Sequence, residues 1–348
     1  MYETIFIEKN KSARTGVYFY ENSMQWNVFL DVCGLKEKKT AVICHYDILK
    51  DTWKTFVDTY VKEEAFFITE QTELSALKDF IQQKKNEYTF VVFTDKIIMD
   101  GLQEVLSSKD TDFSYICVPA TTAAMFDWIS IRPIVDSEGK TLRKEILPLA
   151  TYMDCSLLIE ASPLELQNAF AAAFRLAISY KLSMFEWMIA NVYELTDKEE
   201  GSLCEWLQRG VRVWKERIEK DIAKDRALPF YGEYFYKLLK NAGRSFAYAD
   251  LVSLSMVCQT YLSWKKDLIS MEEFYEIRDM FVLFGLSITE TKITADELQC
   301  AIKELDACRE KDFIYIRKLG KLVADSAPSE TLLREALEEI YFNEESNE

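Results

Sequence analysis

Residues 65–94 read AFFITEQTELSALKDFIQQKKNEYTFVVFT and carry the clearest secondary-structure pattern of the chain. Two runs rich in aromatic and β-branched residues, 65–69 and 89–94, enclose a stretch with apolar residues at spacings of three and four: Leu74, Leu77, Phe80 and Ile81. This pattern predicts a strand–helix–strand unit with parallel strands. Ligands of such folds bind at the carboxyl ends of strands, here the turns at 69–70 and 94–95.

The same alternation of strands and helices fills the first part of the chain. Predicted strands are 3–7, 16–19, 40–44, 65–69, 89–94, 114–118 and 150–155, and predicted helices are 24–33, 48–60, 73–84 and 97–107. Residues 129–138 read as an extended or hairpin segment. The sequence therefore predicts an α/β domain over residues 1–158.

After residue 162 the sequence pattern is typical of helices almost throughout. Ser162 as the cap and Pro163 as the first helical residue favour a helix start. An apolar stripe over 170–182 follows. Further helices are predicted at 198–224, 229–241, 248–265, 271–284, 294–309 and 329–342. We therefore expect an all-helical domain over 159–348, which makes the fold class α/β plus all-α.

Composition excludes several classes of partner. The 348 residues contain 42 basic and 58 acidic side chains, a net charge of −16. Such a surface repels phosphate backbones and anionic lipids, so neither nucleic acid nor membrane is an expected partner. No apolar run is long enough to span a bilayer, and the start lacks the pattern of a signal peptide. Eight scattered cysteines without a CxxC pair indicate reduced thiols and a cytoplasmic location.

Motifs that carry chemistry are scarce. His45 is the single histidine, which argues against a multi-histidine zinc site and suits the end of a predicted strand. The turn Thr94, Asp95 and Lys96 lacks glycine and brings a carboxylate, so it is poorly suited to a pyrophosphate. The aromatic run 230–236 has two interpretations: core packing, or a pocket floor that presents tyrosine hydroxyls and Glu233.

Several collinear strings between residues 89 and 316 resemble 3-dehydroquinate synthase and its sugar-phosphate-cyclase relatives. They are 115–122 (YICVPATT) with Asp127, the turn 138–141, the strand end 152–154, the helical segments 164–166, 171–175 and 185–187, the segment 249–252 with Met256, and the turn 284–287. The resemblance implies a Rossmann-like α/β domain followed by a helical domain. It also implies NAD in the first domain, zinc between the domains and a phosphorylated keto-acid substrate.

This chain departs from the family at the positions that matter for the chemistry. Ala172, Tyr248, and either Gly232 or Glu233 stand where the family has its glutamate and two histidine zinc ligands. The family's glycine turn corresponds to Thr94, Asp95 and Lys96. We therefore expect neither zinc nor NAD as cofactor. Polar residues that remain as pocket candidates are Asp100, Asp127, Lys140, Arg175, Glu233, Tyr236, Tyr248 and Asp250.

Three hypotheses follow. The first is a binding, partner or regulatory protein on a degenerate cyclase scaffold, which forms a homodimer or docks onto an active paralogue or another protein. The second is a lyase or cyclase of this family with an altered substrate and a rebuilt interdomain active site. The third is a functional cyclase that uses ligands other than histidine. Standard synthase activity is not expected, because missing phosphate contacts and a missing metal would each remove several kcal/mol, at roughly 1.5–3 kcal/mol per charged contact.

Overall fold

The computed structural model describes residues 4–10, 13–61, 64–69, 72–95, 98, 102, 113–128, 134–135, 141–142, 147–221, 231–241, 246–290, 297 and 312–341. Two compact units divide the chain: Met1–Glu165 with Lys198–Ala227, and Leu166–Asp197 with Leu228–Glu348. Lys96, Asp100 and Lys140 lie outside the described residues, as does the predicted helix 294–309 except for residue 297.

The first unit is built on a seven-stranded sheet in the order β1-β2-β9-β6-β5-β3-β4. Its strands are β1 Ile5–Asn10, β2 Ala13–Tyr20, β3 Lys39–Cys44, β4 Ala65–Phe67, β5 Tyr88–Thr94, β6 Tyr115–Pro119 and β9 Ala150–Asp154. The short strands β7 Ile134–Val135 and β8 Thr141–Leu142 pair separately. Strand β7 lies in the segment 129–138 that was predicted as extended, and β8 lies just after it. All seven predicted strands are thereby confirmed.

Strand β1 departs from the parallel pattern, since it pairs with β2 antiparallel while the other neighbours are parallel. Two residues separate β1 from β2 in the sequence. A parallel crossover needs about a dozen residues, so this connection permits only a hairpin.

Helices and a dense aromatic cluster cover the sheet. The helices of the first segment are α1 Trp26–Val32, α2 Asp51–Phe56, α3 Leu74–Lys84 and α4 Ser156–Ile159. Tyr20 and Tyr152 stack with ring centroids 4.7 Å apart, and the Trp53 ring meets Phe93 edge-on. The Trp53 Nε1 donates to Asp154 Oδ2 at 2.9 Å. Because burying an indole requires a partner for its N–H, this bond fixes α2 against the end of β9.

The remaining helices lie mostly in the second unit. They are α5 Pro163–Tyr180, α6 Leu182–Ala190, α7 Val192–Thr196, α8 Glu200–Asp221, α9 Glu233–Asn241, α10 Tyr248–Lys265, α11 Met271–Leu283 and α12 Glu330–Glu338. Of these, α8 belongs to the first unit and packs against β1. The expected all-helical domain thus differs from the structure here, because buried Trp206 and Trp214 of α8 pack with Phe126 of the first unit.

A β-hairpin lies within the second unit, where only helices were predicted. Strand β10 Asp312–Lys318 pairs antiparallel with β11 Lys321–Ser326. The Ile316 N–H donates to Ser263 Oγ of α10 at 3.0 Å, so the hairpin packs on this buried helix. Within the described ranges, the structure has no helix both long and apolar enough to cross a membrane.

Candidate functional site

The sheet has a topological switch point between β3 and β5. From β3 the chain continues to β4 on one side, and from β5 it continues to β6 on the other. The connections diverge there, and a crevice opens at the carboxyl ends of the two strands. His45 follows β3 and Asp95 follows β5, so both residues occupy the place where this fold class binds ligands.

His45 and Asp95 are held together at this point. The imidazole Nδ1 lies 3.0 Å from Asp95 Oδ2, and the other carboxylate oxygen, Oδ1, accepts the backbone N–H of Ile98 at 2.7 Å. Asp95 is 6% exposed. Its carboxylate therefore satisfies the backbone N–H of Ile98, three residues further on, as a side chain at a helix start does.

A cleft of about 420 Å³ adjoins this pair. Its lining comes from the residues after β3, from the helical turn Val57–Val61 that follows α2, and from the end of β4 and the residues after it. The lining residues are His45, Tyr46, Asp47, Asp58, Phe67, Ile68 and Thr69. The Tyr46 hydroxyl donates to Asp58 Oδ2 at 2.6 Å, and this bond is the main cause of the raised pKa of Tyr46. Thr69 belongs to the turn that the sequence predicted as a ligand position.

The residues at this end of the sheet do not fit a dinucleotide. A pyrophosphate needs free backbone N–H groups at a helix start and a turn that lets the chain approach closely. Here the Asp95 carboxylate already takes the Ile98 N–H, and its negative charge would face the phosphates. Thr94, at the preceding position, is fully buried with its hydroxyl 3.5 Å from Cys117 Sγ.

In the helical unit, one face of α5 meets the first turn of α10. The Ala249 N–H donates to Asn168 Oδ1 at 3.0 Å, and Arg175 Nη2 donates to the Tyr248 hydroxyl at 3.1 Å. Ala172 lies between Asn168 and Arg175 on the same helical face and is buried. The structure thus brings together three of the predicted positions: Ala172, Arg175 and Tyr248.

Two further candidates lie near the same helix. Asp250, in the first turn of α10, accepts the Ser287 hydroxyl at 2.6 Å. Gly232 has a φ of +81° and packs against the backbone of Ser255 and Met256, about two turns along α10 from Tyr248. Its neighbour Glu233 forms an ion pair with Lys237 at 3.1 Å.

These residues do not fit a zinc ion. Catalytic zinc takes three protein ligands from imidazole, thiolate and carboxylate groups. An alanine methyl cannot ligate, and the guanidinium of Arg175 brings a permanent positive charge to within hydrogen-bond distance of Tyr248. Among the residues that the structure describes, no group of three or more His, Cys, Asp or Glu side chains could hold a metal.

The aromatic run 230–236 favours the core-packing interpretation in its described part. Tyr231, Tyr234, Phe235 and Tyr236 are all buried. The Tyr231 hydroxyl bonds to Thr260 Oγ1 of α10 at 2.9 Å, and burial raises the pKa of this phenol above its ordinary range.

Asp127 follows a turn after β6 and is half-buried. Sequence reasoning missed the pairing of His45 with Asp95 and the role of Asp58. The only available signal was that His45 and Asp95 each follow a predicted strand.

Comparison with known proteins gives a consistent result. No family model matches the chain. The 3-dehydroquinate synthase of Campylobacter curvus is 24% identical over 265 residues, covering 71% of this chain and 75% of that protein. The 3-dehydroquinate synthase of Dictyoglomus turgidum is 23% identical over 334 residues, covering 83% and 92%.

Solved structures with the same fold include sugar-phosphate cyclases, and also an iron-containing alcohol dehydrogenase with a TM-score of 0.61 at 12% identity, covering 94% of this chain and 97% of that one. A 2-deoxy-scyllo-inosose synthase complexed with carbaglucose-6-phosphate, NAD⁺ and Co²⁺ superposes with a TM-score of 0.74 at 13% identity, covering 96% of this chain and 99% of that one. The 2-epi-5-epi-valiolone synthase of Streptomyces hygroscopicus subsp. jinggangensis, with NAD⁺ and Zn²⁺ bound, gives 0.68 at 15% identity, covering 92% and 95%.

Fold and relatives together define the class as a dehydroquinate-synthase-like α/β protein with a helical unit. This confirms the resemblance predicted from the sequence. The chain is similar in sequence to 3-dehydroquinate synthases, and it shares the fold of sugar-phosphate cyclases.

Proposed function

We propose that this family member has lost zinc- and NAD-dependent cyclisation and acts in the cytoplasm as a binding, partner or regulatory protein. The observation that carries the proposal is the hydrogen bond that Arg175 donates to Tyr248. Tyr248 and the neighbouring Ala172 are the positions that correspond to metal ligands of the family. The Asp95 carboxylate at the family's glycine turn supports it independently. Six cysteines in the described ranges are free, five of them buried, which supports the cytoplasmic location.

Electrostatics argue against a metal at Tyr248. A divalent cation bound to the Tyr248 oxygen would lie within about 5 Å of the guanidinium, given ordinary metal–oxygen lengths of ~2 Å. At an effective dielectric constant of ~20, the repulsion at that distance is roughly 7 kcal/mol. This repulsion opposes the binding of a divalent cation to the Tyr248 oxygen.

Metal analysis and calorimetry test this proposal directly. Purified protein should contain far less than one zinc per chain by mass spectrometry, and titration with NAD⁺ should give no heat of binding. The 2-epi-5-epi-valiolone synthase of Streptomyces hygroscopicus, whose solved structure has NAD⁺ and Zn²⁺ bound, is the positive control. One tightly held zinc per chain, or stoichiometric NAD⁺ binding, would overturn the proposal.

The second candidate function is a lyase or cyclase with an altered substrate. A buried guanidinium beside the half-buried phenol of Tyr248 favours it, because such a pair can bind an anionic substrate and hold a proton. The chain would be incubated with a panel of phosphorylated sugars and keto-acids in the presence of NAD⁺ and Zn²⁺. Phosphate release that disappears in Arg175→Met would support this candidate and contradict the first.

The proposed partner is a second copy of this chain. Sedimentation equilibrium should give a mass near twice the 40.6 kDa of the chain. A monomer at micromolar concentration would exclude the homodimer. In that case, co-purification with an active paralogue becomes the test of a partner role.

A further inference from the structure

We propose that the cleft beside His45 binds a small organic cation, a primary or methylated amine. We use the name His45 cleft for the space lined by His45, Tyr46, Asp47, Asp58, Phe67, Ile68 and Thr69. This inference rests on the proposed binding function and names the class of ligand. It differs from the family's dinucleotide in charge, since the cleft attracts cations.

The charges in and behind the His45 cleft are mostly negative. Asp47 and Asp58 belong to its lining, and Asp95 lies directly behind His45 at 3.0 Å. Burial and the charges of Asp58 and Asp95 raise the pKa of the Cys44 thiol, at the end of β3, to about 12. Because a thiolate is disfavoured in a negative field, this shift is consistent with a cleft that attracts cations and repels phosphates.

Two aromatic rings form a corner in the lining. The rings of Tyr46 and Phe67 are nearly perpendicular, at 79°, with centroids 5.4 Å apart. Phe67 is 41% exposed although it ends a strand of the sheet. Perpendicular aromatic faces next to a carboxylate are the arrangement that recognises ammonium groups through cation–π attraction.

A lysine ammonium group of the protein lies over the Tyr46 ring. The Lys54 Nζ lies 5.7 Å from the centroid of the Tyr46 ring. That ammonium is the nearest competitor for a ligand. A small amine with an apolar body has an advantage over it, because the ligand also buries apolar surface against Phe67 and Ile68.

A metal ion is a poorer occupant than an amine. Divalent cations need several oxygen or nitrogen ligands that converge on one point. In the part of the chain that the structure describes, no cluster of this kind occurs, and Asp58 and Asp95 are engaged by Tyr46 and His45. A cleft of about 420 Å³ also accommodates a molecule larger than an ion.

Titration with phenethylamine, compared with its neutral analogue 2-phenylethanol, tests the charge requirement. We expect the amine to bind the full-length protein at least about tenfold more tightly than the alcohol, measured by calorimetry. Equal affinities would overturn the inference, as would the absence of amine binding up to about 10 mM, beyond the range of specific ligands.

The location is tested by the single imidazole. His45 gives one Hε1 resonance in the NMR spectrum, because the chain has no other histidine. Saturable movement of that resonance with phenethylamine, on the same curve as the calorimetric binding, is expected. Binding without movement of the resonance would place the amine elsewhere and overturn the inference.

Matched charge variants test the carboxylate. Asp58→Asn keeps an acceptor for Tyr46 and should weaken amine binding about tenfold. Asp79→Asn makes the same charge change on an exposed position of α3 and should leave it unchanged. Equal affinities of the two variants would contradict the inference. The two proposals fail separately. If the protein holds neither zinc nor NAD⁺ and does not bind the amine, only the present inference is overturned. If the protein holds zinc or NAD⁺, the proposed function is overturned, independently of the result with the amine.

Discussion

Glu165 and Ser162 cap the first turn of α5 through two reciprocal hydrogen bonds. The Glu165 Oε2 accepts the Ser162 N–H at 2.8 Å, and the Glu165 N–H donates to Ser162 Oγ at 3.3 Å. Lys50 Nζ lies 3.6 Å from Oε1. Burial acts to raise the pKa of Glu165, but the bonds from Ser162 and Lys50 outweigh it and lower the pKa below its ordinary value. The reciprocal bonds form a capping box, so the charged form stabilises the helix start.

Replacing Glu165 with glutamine should reduce stability in a pH-dependent way. A carboxylate with a lowered folded pKa stabilises above the unfolded pKa of about 4.3, and this contribution is lost as the pH falls through the folded pKa. We expect Glu165→Gln to cost about 0.5–1 kcal/mol at pH 7, a cap-sized value because its side chain is 42% exposed. Denaturant unfolding at pH 7 and near pH 3 measures the difference, which should vanish at the lower pH. The exposed Glu21→Gln is the control, and an equal loss at both pH values would contradict the assignment.

A substitution at Tyr248 tests its hydrogen bond with Arg175. Tyr248→Phe removes one acceptor from the buried Arg175 guanidinium and should cost about 1–3 kcal/mol, because a buried charge then loses a hydrogen bond. Tyr275→Phe, at an exposed position of α11 in the same unit, should change stability by less than about 0.5 kcal/mol. Urea unfolding measures both. If Tyr248→Phe leaves the free energy of unfolding unchanged, the hydrogen bond does not stabilise the contact between the two helices.

Single residues were predictable where their role is local. Ser162 and Pro163 mark a helix start through chain neighbours, and the structure confirms a helix from Pro163. That Asp95 is unsuited to a pyrophosphate follows from its residue type and its turn, and it stays a prediction. Its bond to His45, fifty residues away, depends on strand order and could not be inferred from spacing.

At the scale of elements, the β10–β11 hairpin was the missed feature. Its strands alternate weakly in polarity and lie next to helical sequence, so pattern alone did not separate them from a helix. The buried strands of the sheet were found because each is a compact apolar run with flanking turns, as in β5 and β6. The hairpin's turn carries a clearer signal at Gly320, where φ is +78°.

Gly320→Ala should destabilise the second unit more than an ordinary turn substitution. A Cβ there would lie 2.6 Å from the Leu182 backbone nitrogen, so the hairpin would have to move in addition to adopting a strained φ. We expect a loss of roughly 2–4 kcal/mol. Gly285→Ala has a similar φ of +68° but meets only the end of the Gln167 side chain, and should cost about 1 kcal/mol. Thermal unfolding compares the two variants, and equal losses would show that the backbone contact at Leu182 is readily relieved.

At the scale of the molecule, the chain enters the first unit twice. The predicted boundary after residue 158 is near the first crossing, which falls after Glu165. Sequence pattern could not show that α8 returns, because an amphipathic helix does not reveal which apolar surface it covers. The return is held by Trp214 Nε1, which donates to the Phe126 carbonyl at 2.7 Å, and by Lys215 Nζ, which donates to the Phe6 carbonyl at 2.6 Å.

This arrangement predicts that Met1–Glu165 cannot fold stably without α8. The helix buries Leu207, Val211 and two tryptophans, and removing a single core tryptophan already costs about 3–5 kcal/mol, comparable to the whole stability of a small domain. Expressed alone, the fragment 1–165 should aggregate, whereas co-expression with a peptide of residues 198–227 should yield a soluble complex with the far-ultraviolet circular dichroism of an α/β protein. The same peptide with Trp206→Ala and Trp214→Ala should fail to rescue it. A soluble, cooperatively unfolding 1–165 fragment would mean that the sheet buries enough apolar surface by itself and that α8 is an accessory layer.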